Sequence, residues 1–231
     1  MGKRLAILQS NYLPWKGYFD LIASVDEFVL YDDAQFTKND WRNRNRIRTP
    51  QGIRWLSVPV GGSIHRRVRD VPLPRTAWAS LHWKTLEGAY RRARHFDTVA
   101  PVLSPHYLQC RATGLSELNR DLLETVCAFL GIRTKLSNSW DYRLVEGRTE
   151  RLVSICEQAG AGVYVSGPRA RAYLDEERFA ERGIRVAWFE YPSYPPYPQL
   201  WDGEFVHDVS IVDLLFNCGP EAPRYMGNVR G

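Results

Sequence analysis

The chain has 231 residues, of which 44% are hydrophobic and 25% are charged, and it carries a net charge of +5. With 8 Trp, 12 Tyr and 9 Phe, it is too rich in aromatic residues for a disordered protein. No stretch approaches the roughly 18 apolar residues that span a bilayer, and the N-terminal apolar run is shorter than the about 7–15 residues of an export signal. We therefore expect a soluble cytoplasmic protein without a membrane partner. The positive charge leaves nucleic-acid binding open.

The N-terminal segment has the pattern of a βαβ unit. Residues 4–8 are a short apolar run typical of a buried strand, and the apolar residues of 17–25 recur at helical spacing. A second apolar run, 28–31, ends in Asp32 and Asp33. Because α/β folds bind their ligands at the carboxyl ends of parallel strands, this acidic pair marks a candidate site.

A β-hairpin is predicted next. Residues 44–49 and 53–60 have strand character and flank a turn that contains Pro50 and Gly52. The whole segment 40–75 is the best candidate for an insertion outside the main sheet. The alternating arginines would share one face of a strand and attract phosphate or carboxylate; these are Arg42, Arg44, Arg46 and Arg48. The alternative is a solvated face made arginine-rich by codon usage.

The rest of the chain alternates helices and strands. Helices are predicted at 76–94, 116–130, 147–161, 170–182 and 210–219, strands at 68–73, 162–167 and 184–191, and a short strand with a turn at 135–142. Thr76 and Ser116 are the expected N-caps of their helices. This alternation predicts a Rossmann-like three-layer α/β core with parallel strands. We expect one domain over 1–231, with a flexible tail at 222–231.

Two kinds of side chain are candidates for acid–base chemistry. Asp32 and Asp33, with Gln35 beside them, could hold a metal, orient a substrate amine or act as a general base, or they could simply form a turn. His82, on a predicted helix, is a second candidate base, although a lone helical histidine is more often structural. The four cysteines form no CxxC pair, which disfavours a zinc ribbon, and we assign no residue as a metal ligand.

The loop between the first strand and its helix is a candidate ligand-binding segment. It contains neither a GxGxxG nor a GxxxxGK[ST] motif, which disfavours a dinucleotide site or a P-loop. Polar side chains there could still contact a ligand; they are Gln9, Asn11, Tyr12 and Lys16. In the hairpin region, the candidate anion-binding residues are Lys38, Asn43, Arg44 and Arg46.

Two further segments complete the candidate site. Ser166 ends a predicted strand just before a turn and a helix, where backbone N–H groups would face a ligand. It could be a nucleophile, but a binding or capping role is favoured. The proline-rich segment 192–198 cannot lie inside a sheet. It could form an aromatic wall, with Tyr197 and Gln199 facing the site.

Several of these motifs together resemble a known family. The stretch QSNYLPWKGYFDLIASVDEFVLYDDAQFTKNDWRNRNRI looks like the signature of the WbqC-like protein family, and the similarity continues through WLSVPV, HWKTLEGAY, YVSGPRARAYL, YPQL and SIVDLLFNCGPEA. Two positions depart from the family pattern. Ser10 stands where proline is usual, and Tyr194 stands where a histidine commonly precedes the proline.

The resemblance implies a tailoring transferase of O-antigen sugar or secondary-metabolite biosynthesis, which forms an amide or acyl linkage on an amino sugar or small amine. Its substrate would be a small molecule or nucleotide sugar, and its acyl donor could be acyl-CoA, a carrier-protein thioester or an aminoacyl-tRNA. The partner would then be an acyl-carrier protein or tRNA. The alternatives are a non-catalytic protein that binds a carrier protein or nucleic acid, and a nucleotidyltransferase-like enzyme.

Overall fold

The structure is a computed structural model that describes residues 2–62 and 65–229. Its strands are β1 (Lys3–Leu8), β2 (Glu27–Leu30), β3 (Arg44–Thr49), β4 (Gly52–Ser57), β5 (Lys135–Asn138), β6 (Ala161–Ser166) and β7 (Arg185–Trp188). Its α-helices are α1 (Lys16–Ala23), α2 (Trp78–Tyr90), α3 (Phe96–Leu103), α4 (Pro105–Leu108), α5 (Leu115–Phe129), α6 (Arg148–Gln158), α7 (Glu176–Ala180) and α8 (Ile211–Cys218). In this part of the chain, no helix has the length and apolar character needed to cross a membrane.

The main sheet has five parallel strands in the order β5-β2-β1-β6-β7. The chain winds outward from β1 through β2 to β5, and then continues on the other side of β1 with β6 and β7. The connections that leave β1 and β6 therefore run in opposite directions. In doubly wound sheets, the crevice at such a pair of carboxyl ends is the usual place for a ligand. The predicted Rossmann-like fold is confirmed.

Alternate residues of each strand face opposite layers of helices. In β1, Leu5 and Ile7 pack into an apolar cluster that includes residues of α6 and α7. Ala6, together with Phe28 of β2, belongs to the larger cluster on the other face, to which α1, α2, α5 and α8 contribute. Because a strand places successive side chains on opposite faces, this short apolar sequence is buried on both sides. The result is a three-layer core.

One buried charge anchors the amino-terminal end of β2. Glu27 is fully buried, and its carboxylate lies 2.6 Å from Lys3 Nζ and 3.0 Å from Lys135 Nζ. The hydroxyl groups of Ser137 and Tyr142 donate to it as well. Burial alone would raise the Glu27 pKa, but hydrogen bonds from these groups, that of Lys3 first, lower it to about 2. The cluster ties β2 to both of its neighbours.

The predicted hairpin is confirmed as a separate two-stranded antiparallel sheet of β3 and β4. Its register places Arg46 directly opposite Trp55 and Asn45 opposite Leu56. Asn45 faces inward, where its amide donates to the backbone oxygen of Leu13 at 2.8 Å. The hairpin is therefore fixed against the loop that follows β1.

Both predicted N-caps are wrong. Helix α2 begins at Trp78 after Ala77, and it has no side-chain cap, so Thr76 lies outside it. Helix α5 begins after Gly114, whose position lets Glu117 accept from the backbone at the helix start. Ser116 lies inside the first turn instead. Its hydroxyl donates a hydrogen bond to the Asp32 carboxylate, and this tertiary contact cannot be read from the local sequence.

Three further predictions differ from the structure. The strand predicted at 68–73 is a short 3-10 turn, Val68–Asp70. The helix predicted at 170–182 is divided into a 3-10 turn, Pro168–Ala172, and the short α7. The predicted tail at 222–231 packs onto the core as far as it is described: Ala222 is fully buried, and the backbone N–H groups of 227 and 228 donate to the Asp20 carboxylate at 2.8 Å. Arg230 and Gly231 lie outside the described residues.

Candidate functional site

The carboxyl ends of β1, β2 and β6 bring together polar side chains from three parts of the sequence. Gln9 and Asn11 follow β1, Asp33 follows β2, and Ser166 ends β6. Directly after β7, the Phe189 N–H donates to the Ser166 carbonyl at 2.8 Å and so continues the pairing of β7 with β6. These residues border the crevice between β1 and β6, which we call the sheet-edge site.

Asp32 has the contacts of a positioning residue. It is fully buried, and its carboxylate accepts hydrogen bonds from the Ser10 backbone N–H at 2.8 Å and from the Ser116 hydroxyl. Burial raises the Asp32 pKa, while the two serines and the charge of Arg42 lower it. The carboxylate therefore joins the end of β2 to the loop after β1 and to the first turn of α5.

Asp33 is almost completely buried and forms ion pairs with two arginines. Its carboxylate lies 3.2 Å from Arg67 Nη1 and 3.1 Å from Arg69 Nη1, and the Ser139 hydroxyl donates to it at 2.8 Å. Arg67 also forms an ion pair with Asp70, whose carboxylate oxygen lies 2.6 Å from Arg67 Nε. The carboxylate is thus compensated by two cations at the rim of the sheet. Paired in this way, the Asp33 carboxylate can still accept a hydrogen bond from a further donor and orient it.

Arg42 joins the sheet-edge site through the loop after β1. Its side chain is 13% exposed, and Nη1 donates to the side-chain oxygen of Asn11. The nearest acid is Asp40, 3.7 Å from Nη2. The Asn119 amide donates to the backbone oxygen of Arg42 at 2.9 Å and to the Ser10 hydroxyl at 3.0 Å.

Two polar atoms of this cluster are buried without a hydrogen-bond partner among the described residues. They are Arg42 Nε, a donor, and Asn119 Oδ1, an acceptor. Buried polar atoms are normally paired, and those that are not are commonly satisfied by water or by a ligand. A guanidinium group with a spare N–H at the carboxyl end of β1 is suited to bind an anionic oxygen.

The predicted anion-binding residues of the hairpin region lie outside the crevice. Arg44 and Arg46 stack against Trp55, with the guanidinium carbons 4.2 and 5.8 Å from the ring centroid. The Asn43 amide donates to the Val58 carbonyl at 2.9 Å. Lys38 lies beside Gly62. Gln35 is exposed and pairs in a β-bridge with residue 67.

His82 and Tyr12 are linked in a buried chain of hydrogen bonds. His82 Nδ1 lies 2.9 Å from the Tyr12 hydroxyl, and Nε2 lies 3.0 Å from the Ser57 carbonyl. The Tyr12 hydroxyl also meets that of Tyr107 at 2.8 Å. Since a carbonyl only accepts, Nε2 carries the proton and Nδ1 accepts from Tyr12. Burial lowers the His82 pKa to about 4, so the ring is neutral at pH 7. Both ring nitrogens are engaged.

Lys16 is surrounded by aromatic rings of the proline-rich segment and of the residues that follow it. Its Nζ is 4.8 Å from the ring centroid of Tyr194, 5.1 Å from that of Tyr197 and 5.9 Å from that of Phe205. The Pro195 carbonyl is 3.5 Å away. Burial lowers the Lys16 pKa to about 8. The cation–π contacts and this carbonyl fasten the segment over the start of α1.

A second buried network fastens the same segment to α8. The Asp213 carboxylate accepts hydrogen bonds from the Tyr90 hydroxyl at 2.9 Å, the Tyr197 hydroxyl at 2.8 Å and the Gln199 amide at 2.8 Å. The side-chain oxygen of Gln199 in turn accepts from Arg48. Tyr197 and Gln199 thus face inward, into this network.

A cavity of about 560 Å³ lies elsewhere, between residues 72–80 and 107–113. Within the described parts of the chain, no predicted site residue lines it. The cavity and the sheet-edge site are therefore separate.

Sequence reasoning did not single out Arg67, Arg69 or Asp213. The two arginines carry no local signal, because the segment around them looks irregular and their partner Asp33 is distant in sequence. Asp213 does have a signal: it is a lone carboxylate within the apolar helix α8. Such a group is expected to be held by several donors.

The strand order and the polar crevice define an α/β protein of the Rossmann-like class with a candidate anion site at the switch point of its sheet. The sequence profile of the WbqC-like protein family matches residues 9–225. The chain belongs to this family. It is 56% identical over 226 residues to the uncharacterized protein Rv1507c of Mycobacterium tuberculosis, and the alignment covers 97% of each chain. No solved structure matches the chain.

Proposed function

We propose that the protein is a tailoring transferase that joins an acyl or aminoacyl group to the amine of an amino sugar or another small amine. The observation that carries the proposal is the buried Nε of Arg42, which has no hydrogen-bond partner among the described residues and lies at the carboxyl end of β1. Family membership and the doubly wound strand order support it. Such sheets bind phosphate-bearing ligands at this position.

Arg42 would bind a phosphate of the substrate, with Asn11 fixing the plane of the guanidinium. Gln9 and Ser166, from the two strands that border the crevice, would supply further polar contacts to the ligand. A fork of N–H donors suits phosphate oxygens better than a single ammonium does. This chemistry fits a nucleotide sugar, and it fits the phosphates of a coenzyme A donor equally well.

Asp33 would orient the acceptor amine at the adjacent strand end. In the transfer step, the amine nitrogen attacks the acyl carbonyl carbon and a C–N bond forms. The C–S bond of a thioester donor, or the C–O bond of an ester donor, then breaks. The proton of the amine ends on the released thiol or hydroxyl group. We assign His82 and Asp32 positioning roles, because their polar atoms are already engaged inside the protein.

A transfer assay tests the proposal. Amino-sugar nucleotides would be incubated with acetyl-CoA, with an acylated carrier protein or with aminoacyl-tRNA, and products followed by mass spectrometry. We expect the acceptor to gain the mass of the acyl group and the wild-type rate to fall at least tenfold in Arg42→Gln. The matched control is Arg178→Gln, since that side chain is 54% exposed and lies on α7. No mass gain with any donor, or equal rates in both variants, would overturn the proposal.

A further inference from the structure

Exposed indole rings lie beside arginines on one face of the β3–β4 hairpin and of the segment just before it. Trp41 and Trp55 are 38% and 42% exposed, and their ring centroids are 5.5 Å apart at an interplanar angle of 36°. Arg44 lies over Trp55 at 4.2 Å, and Arg46 lies 5.8 Å from each ring. These four residues form what we call the Trp–Arg platform. Single exposed apolar residues are ordinary, but two adjacent indoles that lie against cations are not.

The platform is a fixed part of the fold. Arg46 and Trp55 lie opposite each other in the antiparallel register, so their side chains share one face of the hairpin. The Trp41 backbone oxygen accepts a hydrogen bond from Tyr12 N–H at 2.9 Å, which joins the platform to the loop after β1. The platform therefore lies next to the chain segment that borders the sheet-edge site.

The positive charge of its arginines is compensated only in part, although the charge of Asp40 interacts with that of Arg44. Arg46 has a partner in Asp208, 3.3 Å away, but that carboxylate is 75% exposed. An ion pair of this kind contributes little. Arg44 donates to the Asn39 carbonyl, a neutral group. In addition, the Nε atoms of both arginines are buried without a hydrogen-bond partner among the described residues. The platform can thus receive negative charge.

We propose that the Trp–Arg platform binds a single-stranded polynucleotide. Indoles stack on bases of any sequence, and guanidinium groups bind the phosphates between them, which is the combination that single-strand-binding surfaces use. An acidic carrier protein would satisfy the arginines, but it does not present successive planar bases with phosphates between them, which is what stacked indoles and guanidinium groups bind together. The inference deepens the proposed function and rests on it for one point only: the occupant would be the single-stranded end of an RNA that carries the aminoacyl donor.

Fluorescence anisotropy of a labelled single-stranded oligoribonucleotide of about 12 nucleotides tests this inference. We expect saturable binding that weakens about 5- to 100-fold in Trp41→Ala and in Trp55→Ala, because each base–indole stack is lost. Tyr173→Ala is the matched control, since Tyr173 is also exposed, at 49%, and is also covered by an arginine, Arg148 at 4.0 Å. The control should bind as the wild type does. Quenching of tryptophan fluorescence in the wild type should follow the same curve.

Unchanged affinity in both tryptophan variants would overturn the inference, as would the absence of binding at low salt. If heparin or duplex RNA displaced the oligoribonucleotide as well as single-stranded RNA does, the surface would be a general polyanion site, and this result would also overturn the inference. Binding of an acylated carrier protein in place of the oligoribonucleotide would have the same consequence. If the oligoribonucleotide binds through the tryptophans but every transfer assay fails, polynucleotide binding by the platform is supported and the proposed transferase function is refuted.

Discussion

The guanidinium group of Arg42 donates a hydrogen bond to the side-chain oxygen of Asn11 and thereby joins the segment before the hairpin to the loop after β1. The two residues are 31 positions apart in the sequence. Their contact holds a guanidinium group at the carboxyl end of β1, where doubly wound sheets bind their ligands, and its Nε has no hydrogen-bond partner in the described part of the chain. The segment that leads into the hairpin therefore contributes a side chain to the sheet-edge site.

Asp32 is predicted to matter for stability. Asp32→Ala would leave the Ser10 N–H and the Ser116 hydroxyl buried without their acceptor, and we expect it to lower the free energy of unfolding by about 3 kcal/mol. Asp32→Asn retains one acceptor oxygen and should cost less. Urea unfolding at pH 7 measures both. A loss below about 1 kcal/mol in the alanine variant would show that the carboxylate is not a structural anchor.

The proline-rich segment is predicted to loosen when Tyr197 is changed. Tyr197→Phe removes one of three donors to the buried Asp213 carboxylate and should cost about 1–3 kcal/mol. We expect faster proteolytic cleavage within residues 192–208 in this variant. Tyr191→Phe is the control, because that ring is 37% exposed. Equal cleavage rates in the two variants would contradict a fastening role for the Asp213 network.

His82 should make the protein less stable in mild acid. Its pKa is lowered to about 4 in the folded state, chiefly by burial, so the unfolded chain binds the proton first as the pH falls below about 6.5. Stability should then fall between pH 6.5 and 4, by about 2 kcal/mol at pH 5. Urea unfolding at pH 7 and pH 5 should show a smaller difference for His82→Gln than for the wild type. An identical difference would mean that His82 is not buried as a neutral ring.

Glu27 has a linkage of the same sign as His82, but in a lower pH range. Its pKa is lowered to about 2 because hydrogen bonds from Lys3, Ser137, Tyr142 and Lys135 outweigh the effect of burial. Its contribution to stability is therefore present above pH 4.5 and is lost as the pH falls toward 2. We expect Glu27→Gln to cost about 1–3 kcal/mol at pH 7 and less at pH 3. The exposed Glu181 provides a control variant, Glu181→Gln, which should change stability little at either pH. A constant cost at both pH values would refute the charge-based account.

The architecture was largely predictable because it is encoded locally. Apolar runs such as 4–8 can only be buried strands when helical patterns separate them, and a turn with Pro50 and Gly52 indicates the hairpin. Helix starts were less predictable. Thr76 and Ser116 have the chemistry of N-caps, but the start of α5 is fixed by Gly114 and Glu117, and Ser116 bonds to a carboxylate far away in sequence.

The site was predictable only in part, because contacts between residues that are distant in the sequence leave no local signal. The sequence places Asp33 and Asn11 at adjacent strand ends, since β1 and β2 are consecutive parallel strands. It carries no information on which cation meets Asp33, because Arg67 and Arg69 approach from a segment without regular pattern. The alternating run of arginines also does not reveal that its side chains lie in different places. Arg42 reaches Asn11, whereas Arg44 lies on the outer face, against Trp55.

Calorimetric titration of a panel of nucleoside diphosphate sugars into the wild type and Arg42→Gln tests the central claim most directly. Arg178→Gln serves as the control for a lost surface charge. We predict that at least one compound binds the wild type and the control with the same affinity and binds Arg42→Gln at least tenfold more weakly. Equal affinity in all three proteins, or no binding of any compound to the wild type, would contradict a phosphate site at the carboxyl end of β1.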